Sequence, residues 1–243
     1  MFALLLKEIN SFLNSLIGYI VIAVFLLTIG LFMWIFPGEL NVIDSGYANI
    51  DSLFSITPWV YMLLVPAVTM RLFSEEKKTG TIELLLTRPL TEMQVVMAKY
   101  LSGVILVFIS LLPTIIYCFT IYSISFPVGN IDTGSIIGSY IGLLLLGAGF
   151  VAIGLFASAI SDNQVVSFII AFFLCLLCYT GFELASTLSK IPYLSNILFN
   201  LGVHAHYVSM SRGVVDTRDL IYFFSLIFIF LFSTRTVIES RKW

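Results

Sequence analysis

Side chains able to do chemistry are few in this 243-residue sequence. Glu75-Glu76 offers two adjacent carboxylates, Cys175-x-x-Cys178 has the spacing of a redox or metal-binding thiol pair, and His204-x-His206 offers two imidazoles. None completes a site. A hydrolase nucleophile would need Gly-x-Ser-x-Gly and a zinc protease His-Glu-x-x-His, and neither string occurs. Both paired cysteines lie inside an apolar run, where two small core residues are the simpler reading. The histidines have no third ligand nearby, so a packing or interfacial pair outweighs a metal site. A phosphate-cradling loop needs Gly-Lys-[Ser/Thr], and no Gly-Lys pair occurs. The sequence therefore assigns no catalytic, cofactor-binding or metal-binding residue.

The elements that must position these residues belong in lipid. Hydrophobic residues make up 59% of the chain and charged residues 11%, against about 45–50% and about 25% in soluble domains. The net charge of −2 excludes nucleic acid as a partner, because duplex binding needs a clustered basic face. Three cysteines, all within apolar runs, exclude a disulfide framework. Crossing hydrocarbon takes about 20 apolar residues in a helix, and six stretches qualify: Leu16–Phe36, Leu53–Phe73, Val95–Tyr122, Ile136–Ile160, Val165–Leu188 and Leu220–Val237. In the last of these, Arg235 must reach out to the interface. The runs are continuous rather than alternating, which excludes barrel strands. The expected fold is an all-α integral membrane protein, with residues 1–243 as one transmembrane domain.

Charge gives orientation. Lys7, Arg71, Lys77, Lys78, Arg88, Lys99, Arg235, Arg241 and Lys242 fall on one side, against Lys190, Arg212 and Arg218 on the other, which predicts both termini in the cytoplasm. Ahead of the first span, Lys7, Glu8, Asn10, Ser11, Asn14 and Ser15 project to one side of a helix. Phe2, Leu5, Leu6, Ile9, Leu13 and Leu16 project to the other. Residues 1–15 therefore read as an interfacial helix in the headgroup plane rather than a signal peptide. Apart from Lys99 and Arg235, counted above, ionisable residues in or near the spans reduce to Glu183, Asp162 and Arg71, too few for a proton- or sodium-coupled secondary carrier. Gly138-x-x-x-Gly142 and Gly147-x-Gly149 permit close helix approach, within one subunit or at a dimer seam. Pro58, Pro66 and Pro113 are expected to kink their spans.

The segment from 74 to 92, between spans two and three, carries the strongest signal. Glu75, Glu76, Lys77 and Lys78 end a helix; Thr79, Gly80 and Thr81 break it; and Glu83 sits where a helix N-terminus favours an anion. Ile82, Leu84, Leu85 and Leu86 then form a short apolar helix closed by Arg88-Pro89, and Thr91-Glu-Met-Gln94 is a capping box opening span three. Four apolar residues held among charges on the cytoplasmic side suit a docking surface. The Glu75-Glu76 pair is similar to that of one intramembrane protease class, but Gly80 stands where that motif expects Arg.

The string Phe73–Pro89 resembles the coupling segment of ABC-2 type transporter permeases, where Glu-x-x-x-Gly-Thr-x-Glu and a following Pro recur. The resemblance continues through Ser158–Val165, with Ser161-Asp-Asn-Gln164, and through Ser211–Tyr222, in the same order along nearly the whole chain. Within that family it is similar to the gliding-motility-associated permeases of Bacteroidota. The resemblance implies a six-helix half-transporter in the bacterial inner membrane, with an interfacial N-terminal helix and a coupling helix docking on a separate ATPase subunit that holds ATP and Mg2+. It also implies a second permease copy or paralogue, and a re-entrant outer segment over residues 189–219 before helix six. Glu75–Glu83 with Leu84 and Leu85 would be the ATPase contact. Pro192, Gly202 and Arg212 would mark the outer cap. A periplasmic-domain subunit would accompany a gliding-type assembly.

Two functions stay open on the residues: ATP-driven export, and transmission of force to a periplasmic or membrane partner with nothing carried through. A secondary carrier is the poorest fit. An epitope placed at Ile82 should be reached only from the cytoplasmic side; labelling from outside would overturn the orientation.

Overall fold

The computed structural model describes residues 1–81, 83, 90–189 and 191–240. No strand occurs among them. The chain opens with α1 (Phe2–Leu13) and α2 (Leu16–Trp34), separated by Ser15, whose hydroxyl accepts the Gly18 N–H at 3.2 Å. A one-turn α3 (Val42–Ser45) precedes α4 (Asp51–Thr69) and α5 (Arg71–Lys78). Next come α6 (Glu92–Leu111), a 3-10 turn at Leu112–Thr114, and α7 (Ile115–Ile124). The long α8 (Thr133–Ile160) leads to α9 (Gln164–Leu176), a wide π turn at Leu177–Gly181, and α10 (Phe182–Leu188). Two short helices, α11 (Pro192–Leu201) and α12 (Val203–Ser211), come before α13 (Thr217–Glu239).

Six of these stretches are long and apolar enough to cross a bilayer: Leu16–Trp34, Asp51–Lys78, Glu92–Ile124, Thr133–Ile160, Gln164–Leu188 and Thr217–Glu239. They match the six expected spans. Five of the six begin at a polar side-chain cap that hydropathy does not register: Ser15, Thr91, Asp132, Asn163 and Asp216. The Thr91 capping box is formed, with the Gln94 N–H on the Thr91 hydroxyl at 3.3 Å and the Thr91 N–H on Gln94 Oε1 at 3.2 Å. Asp216 accepts the Arg218 N–H at 3.0 Å, so the sixth span starts three residues before Leu220. That backbone donor holds the Asp216 carboxyl below the usual carboxylate range. At its other end Arg235 pairs with Glu239 at 2.7 Å instead of reaching outward alone.

Proline and serine explain the second span, which runs five residues past Phe73. Pro58 and Pro66 stay inside α4, and the break comes at Met70, one turn after Pro66. There the Ser158 hydroxyl accepts the N–H groups of Phe73 at 2.9 Å and Ser74 at 3.1 Å, and donates to the Met70 carbonyl at 2.9 Å. One hydroxyl makes all three bonds available to it, which is what backbone without water requires.

Helix α8 is the axis. In the most apolar window of α8, 83% of residues are buried, against 22% in α2, in the α9–α10 span and in α13. Its glycines permit this. A Cβ at Gly147 would stand 2.6 Å from Val107 Cγ1, one at Gly138 would stand 2.7 Å from the Gly213 carbonyl, and one at Gly154 would overlap the Thr69 side chain. The glycine spacing thus packs helices within one subunit. Gly154→Ala should destabilise the chain by about 1–3 kcal/mol, read as a lower unfolding midpoint in detergent. Gly134→Ala, whose nearest neighbour is Asp132 Oδ1 at 3.4 Å, should leave the midpoint unchanged.

Candidate functional site

Helix α5 leaves the bundle at the end where α1 and the last turn of α13 lie, here called the terminal face. Its inner side is tied down in two directions. Toward α8, Ser158 holds Phe73 and Ser74, while the Lys77 ammonium donates to the Ala159 carbonyl and lies 3.8 Å from Asp162. Toward α1 and α6, Glu76 meets Lys99 at 3.0 Å and Lys7 at 3.3 Å. Lys99 is 1% exposed along its side chain. Besides Glu76 it contacts Glu8 at 3.1 Å and donates to the Leu72 carbonyl at 2.6 Å, with the Phe73 ring 5.1 Å away. A buried ammonium needs this much company, since an unpaired one costs several kcal/mol.

Glu8 accounts for a difference at the N-terminus. The helical projection puts Glu8 on the polar side of α1, yet the buried stripe is Leu4, Glu8 and Phe12, and Phe2 is 70% exposed. Helix α1 turns its carboxylate inward because Lys99 is there to receive it. Arg71 completes the seat: it donates to the Ser15 hydroxyl at 3.1 Å and stacks over the Phe12 ring at 4.0 Å. Lys7, Glu8, Arg71, Glu75, Glu76 and Lys99 help line a cavity of about 230 Å³ between α1 and α5. Burial alone would lower the Lys7 ammonium, but the Glu8 and Glu76 carboxylates outweigh it and raise its pKa above the ordinary value.

The outer side of the same segment is bare. Glu75, Lys78, Thr79, Gly80, Thr81 and Glu83 are exposed, whereas Glu76 and Lys77 are drawn toward the bundle. Gly80 adopts φ +71°, the left-handed conformation that ends α5. Ile82, Leu84 and Leu85 lie outside the described residues.

At the far face, Pro192, Gly202 and Arg212 do not converge. They bracket two helices: Pro192 opens α11, Gly202 joins α11 to α12 and Arg212 closes α12. The histidines act here as clamps. His206 Nδ1 lies 2.7 Å from Asp219 Oδ1 and Nε2 lies 2.9 Å from the Asn200 carbonyl, with its ring stacked on Tyr222 at 3.9 Å. His204 meets Glu183 at 3.0 Å and the Tyr179 ring at 5.1 Å. Among the described residues no three His, Cys, Asp or Glu side chains form a metal-binding group, and Cys175 and Cys178 are free thiols.

Glu8, Lys99 and Ser158 are the residues that sequence reasoning missed. A lysine as the fifth residue of the expected span Val95–Tyr122 was the available signal for Lys99. Ser158 opens the Ser158–Val165 stretch that carries part of the family resemblance, but nothing in that stretch points to a contact with α5.

Lys99→Met would leave two carboxylates at the α1 seat without their buried counter-charge, at a cost of about 3–5 kcal/mol. Replacing all three groups together, Lys99→Met with Glu8→Leu and Glu76→Leu, should recover most of that loss. Unfolding midpoints in detergent check this; a single variant no less stable than the triple one would contradict it.

Curated protein sequences give no match to this chain. The family model described as ABC-2 family transporter protein matches residues 2–234. Its members are membrane subunits without catalytic activity of their own and work in general with an ABC ATPase. A match over nearly the whole of a six-span helical chain is decisive: this protein belongs to the ABC-2 family and is a multi-pass permease subunit of an ABC transporter.

Proposed function

We propose that residues 74–92 dock on a separate nucleotide-binding subunit, and that ATP hydrolysis there, with its Mg2+, moves the helices of this chain. The observation that carries the reading is the two-sidedness of α5. Its inner side is pinned by Ser158, Lys77 and Lys99, while Lys78 and, just beyond it, Gly80 and Glu83 are exposed at the terminal face. A lever needs a fixed side and a gripped side. In this reading the terminal face is cytoplasmic, as the basic residues require, and the membrane is the bacterial inner membrane. Helix α1 lies at the interface with Phe2 and Leu6 toward lipid, and residues 189–219 form the outer re-entrant cap.

The working unit contains a second permease, a copy or a paralogue. The resemblance of the motifs to gliding-motility-associated permeases supports motility as the setting, with a periplasmic-domain subunit receiving the work.

Co-purification with the candidate ATPase tests the reading. Gly80→Pro cannot adopt the positive φ of Gly80, and Glu83→Lys reverses an exposed charge; each should lower coupled ATP hydrolysis about tenfold or release the ATPase. Either variant keeping its partner with normal coupled hydrolysis would overturn the docking role.

A further inference from the structure

Three spans are interrupted: α4–α5 at Met70, α6–α7 by the 3-10 turn at Pro113, and α9–α10 by the π turn. Three are continuous, and of these only α8 is buried. It contains no proline and rises about 42 Å at 1.5 Å per residue. Both of its ends are fastened, each by a serine.

At the terminal face Ser158 bonds Met70, Phe73 and Ser74, and Ala159 accepts from Lys77, so the base of α5 is tied to α8 by its own backbone. At the far face the Ser139 hydroxyl lies 2.8 Å from both the Ser211 carbonyl, at the end of α12, and the Ser135 carbonyl of its own helix, and shares its one proton between them. Around that bond the fit leaves no slack. Gly138 abuts Gly213, and a Cβ on Gly142 would stand 3.0 Å from Met210 Cβ. Gly213 itself adopts φ +83° against Ser135. Between the two fastenings α8 presents Gly147, Gly149 and Gly154 to its neighbours, and packed helices permit small axial shear.

We propose that α8 is a push rod: displacement of α5 at the terminal face is carried along α8 to α12 and the α11–α12 pair at the far face, with Ser158 and Ser139 as the positioning residues at its two ends. The source of the displacement rests on the docking reading above; the mechanical linkage does not. Because coupling is reciprocal, loosening either end must be felt at the other, about 28 Å away along the helix.

Hydrogen–deuterium exchange on the permease–ATPase complex in nanodiscs tests this. ATP should change exchange at residues 71–81 and 203–213 together in the unmodified complex. Ser158→Ala should keep the change at 71–81 and cut that at 203–213 about fivefold or more, and Ser139→Ala should do the same. Ser225→Ala, whose hydroxyl bonds only within its own exposed turn, should alter neither. A far-face response that survives both variants overturns the rod. If ATP moves residues 71–81 in no complex, the docking reading falls instead, and the nucleotide-free comparison decides the rod. There Ser158→Ala must raise exchange at 203–213 and Ser139→Ala must raise it at 71–81. Effects confined to the substituted end overturn the proposal.

Discussion

Inside a bilayer every polar group must find its partner in protein, and this requirement governs the structure more than any other. Hydroxyls along the spans turn back on their own helices: Thr57 bonds the Leu53 carbonyl, Thr69 that of Val65, and Ser110 that of Val107. Where a helix breaks, another helix supplies what is missing, as Ser158 does for the α4–α5 junction. Where a charge is buried, several groups answer it, as Glu8, Glu76 and the Leu72 carbonyl answer Lys99. Apolar burial alone gives little drive for helices to associate in lipid. Glycine contacts along α8 and these polar ties therefore hold the bundle together.

The two kinds of tie do different work. Glycine contacts fix how close α8 lies to α4, α6 and α12 and are indifferent to small sliding. Polar ties fix register, because a hydroxyl or carboxylate loses its bond when displaced by an ångström or so. The polar ties cluster at the two faces, and the interior between them is almost wholly apolar. Such a molecule resists rearrangement at its ends and tolerates shear in its middle, which suits a membrane subunit that must move without coming apart.

Much of this was legible in the sequence. The six spans follow from hydropathy, the α6 start from Thr91 and Gln94, and the close packing of α8 from Gly138, Gly142, Gly147 and Gly149. What escaped was long-range. Nothing local shows that Glu8 and Lys99, 91 residues apart, share a site, so a helical projection assigns Glu8 to water. That Glu75 to Lys78 end a helix is legible in the sequence, but hydropathy stops the second span at Phe73, and the tie of α5 to Ser158 on a distant helix leaves no local trace. The segment 75–83 was recognised by motif, and its division into a pinned and a bare side appears only when α1, α6 and α8 surround it. The pairing of His204 with Glu183 and of His206 with Asp219 likewise needed α12 to pack beside the π turn and α13.

Vectorial synthesis gives the Lys99 contact a further meaning. Glu8 and Glu76 both precede Lys99 along the polypeptide, so a ribosome delivers the two acids before the base. By the time the third span emerges, both anionic partners of its lysine have already been made, so the seat can close as soon as α6 packs against α1 and α5.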